Sequence, residues 1–289
     1  MRRCCFLVAL GLSISLLGIS SCSKAPDYWA DAKPGQKKVL VSFAPLYAIT
    51  HAIAGDDAYV LSMLSTTGPH GYEYGAHDLR KVKNADLLIY NGLSLDDVFV
   101  DRLLVNHRNR DLAVLNIGDV LDKKHHDLLL HGHHDHDHDH KHGKHAHHEH
   151  GEHDPHVWLG PPQAIAMTKI IAGKLAEIDP PHAKNYEKRA AEFIAKLKEL
   201  ETYGKEKFKG KHVHMVTMHD AFGYFAEAFG LEIVGTIQNF PGTDPSAASF
   251  ARLVKLCKKE RVSIIAIEPQ YSTAQAEALQ EALQKSGVA

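Results

Sequence analysis

Between positions 125 and 153 the chain concentrates metal-ligating side chains. The run His131-Gly132-His133-His134-Asp135-His136-Asp137-His138-Asp139-His140-Lys141-His142 is followed by His145, His147, His148, His150 and His153. Neutral imidazole is the commonest protein metal ligand, and alternation with Asp sets borderline-soft nitrogen beside hard oxygen. Such a composition reads as metal binding; the plainer alternative is a solvated polar linker. The tract has almost no apolar residues, so it cannot bury enough surface to offset the entropy of ordering. It is expected to be a mobile surface loop, with His131, His133, His134, His136, His138, His140, His142, His145, His147, His148 and His150 as weak accessory ligands.

The tract closes differently, in Asp154-Pro155-His156-Val157-Trp158-Leu159. Pro155 stiffens the chain before His156, and Trp158 and Leu159 are expected to be buried. A histidine in an ordered apolar setting can be a fixed ligand, which a floppy tract cannot supply. Two more histidines stand in comparable contexts: His70 in Gly68-Pro69-His70-Gly71-Tyr72-Glu73, and His219 in Met218-His219-Asp220-Ala221-Phe222-Gly223-Tyr224-Phe225. Each alone is weak, since a single histidine in such a place is commonly structural.

The elements that would position them follow from hydrophobic patterning. Apolar runs at 38–43, 59–64, 87–90 and 113–117 alternate with helical stretches ending near 54 and 86 and covering 95–105. Strands apolar throughout, alternating with helices, indicate a parallel sheet covered on both faces. Pro161-Pro162 opens a helix to about Ile178. After Pro180-Pro181 a longer one carries Tyr186, Ala190, Phe193, Ile194, Leu197 and Leu200 at helical spacing. It reads as a connecting helix between two lobes, or else as an ordinary surface helix. A second α/β unit follows, with strands at 213–218, 232–237 and 263–267; Asp244-Pro245-Ser246 starts the helix that buries Phe250, Leu253, Val254 and Cys257. The three histidines then fall in loops at the carboxyl ends of strands or beside the lobe junction, where open α/β sheets bind ligands.

The expected fold class is therefore α/β, two parallel-sheet α/β lobes joined by one long connecting helix, with the site in the interlobe cleft. The expected domains are a signal segment at 1–21, a tether at 22–37, an N-terminal lobe at 38–160 that includes a disordered loop at 125–153, a helical linker at 161–208, and a C-terminal lobe at 209–289. The last ends on a crossover helix and looks incomplete.

The whole chain of 289 residues is 44% hydrophobic and 24% charged, with a formal charge of -2. No basic stripe with interleaved aromatics is present, which argues against nucleic-acid binding. Arg2 and Arg3 precede an apolar segment at 6–19 too short to read as a spanning helix, and Leu17-Gly18-Ile19-Ser20-Ser21 leads into Cys22. That pattern resembles a bacterial lipoprotein signal, making Cys22 the lipidated first residue; a plain secretory signal is the alternative. Cys4 and Cys5 would leave with the signal, so Cys257 is the one remaining free thiol and no intramolecular disulfide forms. Cys257 is read as a small core residue.

Taken together, Pro69-His70-Gly71-Tyr72-Glu73, Ala85-Asp86-Leu87-Leu88-Ile89-Tyr90-Asn91-Gly92, the segments around His156 and His219, and Glu268-Pro269-Gln270 carry a resemblance. From about Val39 to Val288 the chain resembles the solute-binding proteins of bacterial ABC importers for zinc or manganese, cluster A-I, which include the periplasmic zinc-uptake proteins. The resemblance implies two α/β lobes joined by one long helix, a metal between them, and ligands at His70, His156 and His219. Many zinc members carry an acidic, His-rich loop just before the second ligand, as this chain does. It departs from the family pattern at Tyr74-Gly75-Ala76-His77-Asp78, where the family usually has Pro-Thr-Pro-Ser-Asp. His77 is read as a solvent-facing helix-start residue, with an accessory-ligand role as the alternative. The family also commonly supplies an Asp as fourth ligand from a strand after the last helix here, so the chain reads as C-terminally short. A water or a loop group is the alternative fourth ligand.

Three imidazoles favour zinc over manganese, which suits carboxylate-rich sites; manganese members tend to have Glu where this chain has His219. Glu268 is expected either to hydrogen-bond a ligand histidine from behind or to cap a neighbouring helix. The expected function is a monomeric, non-enzymatic receptor at the bacterial cell envelope. It would be anchored through Cys22, and would capture Zn2+ and deliver it to an ABC permease and its ATPase. The alternatives are a receptor for manganese or another divalent metal, an adhesin-like lipoprotein, and a three-His zinc hydrolase with Glu268 or Asp220 as base.

Overall fold

A computed structural model of the chain describes residues 26–132 and 152–285. Two separate parallel sheets form. The first contains β1 (Lys37–Val41), β2 (Ala58–Ser62), β3 (Leu87–Tyr90) and β4 (Ala113–Asn116) in the order β2-β1-β3-β4. The second contains β5 (His214–Thr217), β6 (Glu232–Thr236) and β7 (Ile264–Ala266) in the order β6-β5-β7. Every strand pairing in both is parallel. The sequence explains the first sheet directly: Val39, Leu40, Val41, Leu87, Leu88 and Ile89 are all inaccessible to solvent. Such continuous apolar strands require cover on both faces. Helices α1 (Ala44–Ala54), α2 (Ala76–Lys83), α3 (Asp97–Asn106) and α5 (Pro161–Ile178) belong to this lobe.

Helix α6 (Ala183–Phe208) joins the lobes. Its 26 residues span about 39 Å at 1.5 Å per residue. Near its start, Tyr186 and Ala190 are buried, and Arg189 donates to the carbonyls of Ile53 and Ala54 at the end of α1, at 2.6 and 2.7 Å. Near its end, Gly204 meets α7 (Gly223–Phe229) of the second lobe. The apolar stripe expected along this helix is buried only at the start, and Leu200 and Tyr203 are exposed. The helix bridges two bodies there and has no third layer to cover it. The second lobe is completed by α8 (Ala247–Lys259), whose N-cap Ser246 accepts from the Ser249 amide at 3.1 Å, and by α9 (Ala274–Gln284). Cys257 is fully buried in its core with Leu253, Leu279 and Leu283.

One element was not anticipated. Ile117, expected to end a strand, instead opens α4 (Ile117–His125), capped by Asn116, whose Oδ1 accepts from the Asp119 amide at 3.1 Å. The helix continues into a short 3-10 turn at His126–Leu128, and His131 pairs antiparallel with His153. Residues 125–132, 152 and 153, which the sequence places in the loop, therefore have defined structure. Asn116 has cap chemistry and Leu121 is buried, but the charged Asp119-to-Asp127 stretch hid the helical period.

At Gly204 a Cβ would strike the Phe229 ring edge. Phe229 also packs against Phe208 and Phe225, so it has little room to give. Gly204→Val is expected to destabilise the protein by about 1–3 kcal/mol through overpacking, measured as a lowered urea midpoint at unchanged slope.

Candidate metal centre

The three histidines come from three loops. His70 lies in the segment after β2, His156 in the connection from α4 to α5, and His219 two residues beyond β5. Residue Glu268 stands two residues beyond β7, the strand paired with β5. Neighbouring parallel strands deliver their following loops to the same end of a sheet, so His219 and Glu268 meet although 49 positions separate them in the chain.

The Nε2 atom of His156 lies 3.3 Å from Nε2 of His70 and 3.3 Å from Nε2 of His219. One donor atom from each ring lies within 4.8 Å of the others. A tetrahedral ion with Zn–N bonds of about 2.0–2.1 Å holds its ligand atoms about 3.3–3.4 Å apart. Both separations match that edge, and both exceed the usual N–H hydrogen-bond range of about 2.7–3.2 Å. His156 and His219 are each 2% exposed.

Each buried ring is oriented from its far side. His156 Nδ1 lies 2.8 Å from Asp154 Oδ1, and the His156 amide donates to the same oxygen at 2.9 Å. A carboxylate at Nδ1 favours the tautomer with the proton there, which leaves the Nε2 lone pair pointing at the other histidines. On the opposite ring, His219 Nδ1 lies 2.7 Å from Glu268 Oε1. This is an ion-pair distance, but the direction lies off the line of a hydrogen bond, and Nδ1 finds no aligned acceptor. A small ring rotation would align the pair. Glu268 Oε2 accepts from Gln270 Nε2 at 2.9 Å. The geometry thus puts Glu268 beside a histidine and leaves Thr273 as the N-cap of α9.

The His156 turn is itself held from both lobes. Its Pro155 carbonyl accepts from Asn91 Nδ2 at 3.0 Å. The Asn91 amide donates to Asp96 Oδ2 at 2.9 Å, the Gly92 amide to Oδ1 at 2.8 Å, and Ser42 Oγ to Oδ2 at 2.6 Å. Asp96 is fully buried, and desolvation pushes its carboxyl up to about 6. From the second lobe, Tyr224 Oη on α7 donates to the Asp154 carbonyl at 2.7 Å and accepts from the Leu130 amide at 3.1 Å. Burial pushes the Tyr224 phenol well above its ordinary range, so it remains a donor. Beside His70 opens a cleft of about 630 Å3 lined from one lobe by Phe43, Pro69 and Trp158 and from the other by Phe222 and Pro269.

The other anticipated positions fall elsewhere. His77 starts α2, contacts Tyr72 Oη and Asp78 Oδ2 at 3.2 Å, and is half exposed. His131 sits in the bridge to His153. Residues His133, His134, His136, His138, His140, His142, His145, His147, His148 and His150, together with Cys22, lie outside the described residues.

Comparison with known families places this architecture. A family model described as zinc-uptake complex component A, periplasmic, matches residues 39–289. The chain belongs to that family. Among its relatives is the zinc-binding lipoprotein AdcA of Streptococcus pneumoniae, 32% identical over 282 residues, which cover 96% of this chain and 53% of the relative. Another is the high-affinity zinc uptake system protein ZnuA of Bacillus subtilis, 33% identical over 256 residues, covering 86% and 76%. The chain spans about half the length of the streptococcal relatives it matches. The crystal structure of Zn(II)-bound AdcA from Streptococcus pneumoniae superposes with a TM-score of 0.68 at 31% identity, covering 86% of this chain and 50% of that one. A ZnuA crystal structure at 23% identity and a TM-score of 0.71 shares the fold.

Sequence reasoning for this family member left Asp154, Asn91, Asp96 and Tyr224 without roles. The Asp-Pro-His spacing was the available signal for Asp154, because Asp readily accepts from the amide two residues on. The remaining three act across 64 to 94 positions or at the end of such a chain, and nothing local marks them. Tyr224→Phe keeps the ring but strips two backbone groups, the Asp154 carbonyl and the Leu130 amide, of this partner. Its expected cost is about 1–3 kcal/mol in urea unfolding, and an unchanged midpoint would remove the phenol from this scheme.

Proposed function

We propose that the chain is an extracytoplasmic receptor that captures zinc between its lobes through His70, His156 and His219 and hands it to an ABC permease driven by its ATPase. The observation that carries this reading is the pair of 3.3 Å Nε2 separations in a trio whose His156 and His219 are buried and whose His70 is half-buried. Imidazoles crowded to that distance repel through their lone pairs unless a cation lies between them, and neutral imidazole suits zinc better than manganese. Asp154 and Glu268, one behind each of two rings, supply two negative charges that balance a dication without entering its coordination shell. Zinc is here the cargo, so release matters as much as capture. Three neutral ligands bind less tenaciously than a thiolate set, and the lobes meet at the site, so their separation would dismantle it.

In this reading Cys22 carries the lipid that keeps the receptor at the membrane, and the His-rich tract collects metal weakly and raises its concentration near the cleft. Names of relatives support zinc as the cargo: AdcA is a zinc-binding lipoprotein and ZnuA a high-affinity zinc uptake protein.

Calorimetry with a competing chelator, on the protein from Ser23 onward, is expected to show one tight zinc equivalent plus weaker ones. His156→Ala should abolish the tight one. A tight equivalent that survives this substitution would refute the assignment. Glu268→Gln is expected to keep the stoichiometry and weaken the tight site about 10- to 100-fold, the usual effect of removing a partner of a ligating imidazole. Replacing residues 133–151 with a short linker should remove weak equivalents and spare the tight one; loss of the tight one would overturn the division of labour.

A further inference from the structure

At the root of the histidine tract a second set of donors converges, away from the interlobe trio. Asp122 on α4 and His126, the first residue beyond it, are four positions apart and share a face of the helical turn. His126 Nδ1 lies 2.7 Å from Asp122 Oδ1, and His153 Nε2 lies 3.5 Å from the same oxygen. One donor atom from each of the three lies within 4.8 Å of the others. The His126 ring meets the His153 ring edge-on at a centroid distance of 5.0 Å, and His131 stacks on His153 from across the bridge at 5.7 Å.

A helix-borne His–Asp pair alone is an ordinary surface contact worth little. His153 makes this one different. Its side chain is only 7% exposed, while those of Asp122 and His126 are 49% and 60% exposed. Its Nδ1 has no hydrogen-bond partner, so the ring pays for burial without satisfying both nitrogens. What holds the imidazole there is its aromatic neighbours and the carboxylate. The result is one buried and two open donors around a point reachable from solvent.

We propose that Asp122, His126 and His153 form a second divalent-metal site, for zinc or a cation of similar borderline character. Two imidazoles and a carboxylate are an established ligand set for such ions, with the remaining position left to water. Binding requires the His126 ring to turn off the carboxylate by a small rotation, and its exposure leaves room for that. An ion there would tie α4 to the bridge between His131 and His153, fixing both ends of the histidine tract. Because His153 immediately precedes Asp154, it would also stiffen the turn that carries His156. The site would be weaker than the interlobe trio, since two of its ligands are solvated and one is shared with a hydrogen bond.

Crystals of the full chain grown with zinc, recorded on both sides of the zinc absorption edge, locate the ions directly. The expected result is an anomalous peak within bonding distance of all three side chains, in addition to one at the trio. In solution, equilibrium dialysis of the Asp122→Ala/His126→Ala variant should show one zinc equivalent fewer than the unaltered chain, and the equivalent removed by His156→Ala should persist. Both substituted positions are exposed, and an unchanged circular-dichroism spectrum checks folding. Asp122→Glu, which keeps a carboxylate on the same face, should retain the equivalent. A crystal with zinc at the trio and none at Asp122, or an unchanged count in the double variant, overturns the proposal. Loss of one equivalent in the double variant sustains it even if His156→Ala proves silent, so the two sites stand or fall separately.

Discussion

Setting His156 Nε2 3.3 Å from the Nε2 atoms of both His70 and His219 inside a protein is costly, because imidazole nitrogens are crowded together and two of the rings are cut off from water. Rings left to themselves would rotate, swap tautomers or open the gap. The surrounding structure reads as a set of restraints against those escapes. Asp154 fixes the His156 tautomer through Nδ1 and its turn through the amide. Glu268 stands behind His219. Both restraints point the same way, toward bare Nε2 atoms facing a common centre.

Further out, the restraints become the fold. Asp96 gathers two successive amides and a serine hydroxyl at the tips of β1 and β3, which positions Asn91, and Asn91 in turn holds Pro155. Tyr224 clamps the same turn from the other lobe. The turn bearing His156 is thus the piece on which both lobes close, and the Tyr224 side chain packs into the larger hydrophobic core although its helix belongs to the smaller lobe. Helix α6 sets the spacing between the lobes at the far side, through Arg189 at one end and Gly204 at the other. The interlobe cleft beside His70 is lined by Phe43, Pro69, Trp158, Phe222 and Pro269, with Ser65, Thr66, Thr67, Glu268 and Gln270 adding polar groups to its wall.

Much of this was legible in the sequence because the strands are short, uniformly apolar runs with clear breakers, as at Leu87-Leu88-Ile89-Tyr90 before Asn91-Gly92. The α/β alternation, the long helix after Pro180-Pro181 and the loop positions of the three histidines followed from that. Helix α4 did not, because its signal is a single cap and one buried leucine amid charged residues. The approach of His153 to Asp122 and His126 escaped for a related reason: in a tract so rich in histidine, composition suggests mobility and gives no way to single out the two ends that pack. The Asn91, Asp96 and Tyr224 contacts are long-range hydrogen bonds between residues with unremarkable neighbours, which only the assembled fold brings together.

The all-parallel pairing of both sheets bears on how the molecule comes into being. Among the described residues no sheet strand pairs with its neighbour through a tight turn, since every parallel pairing requires a crossover. Folding must therefore close long loops before strand contacts reward it, and chains of this kind fold slowly. His70 and His156 are 86 positions apart, and His156 and His219 are 63 apart, in three loops that meet only once both sheets exist. A cation cannot nucleate such a chain in the way it does a zinc finger, whose ligands lie close together in the sequence. On this topology an ion held by the three histidines would meet a scaffold already folded.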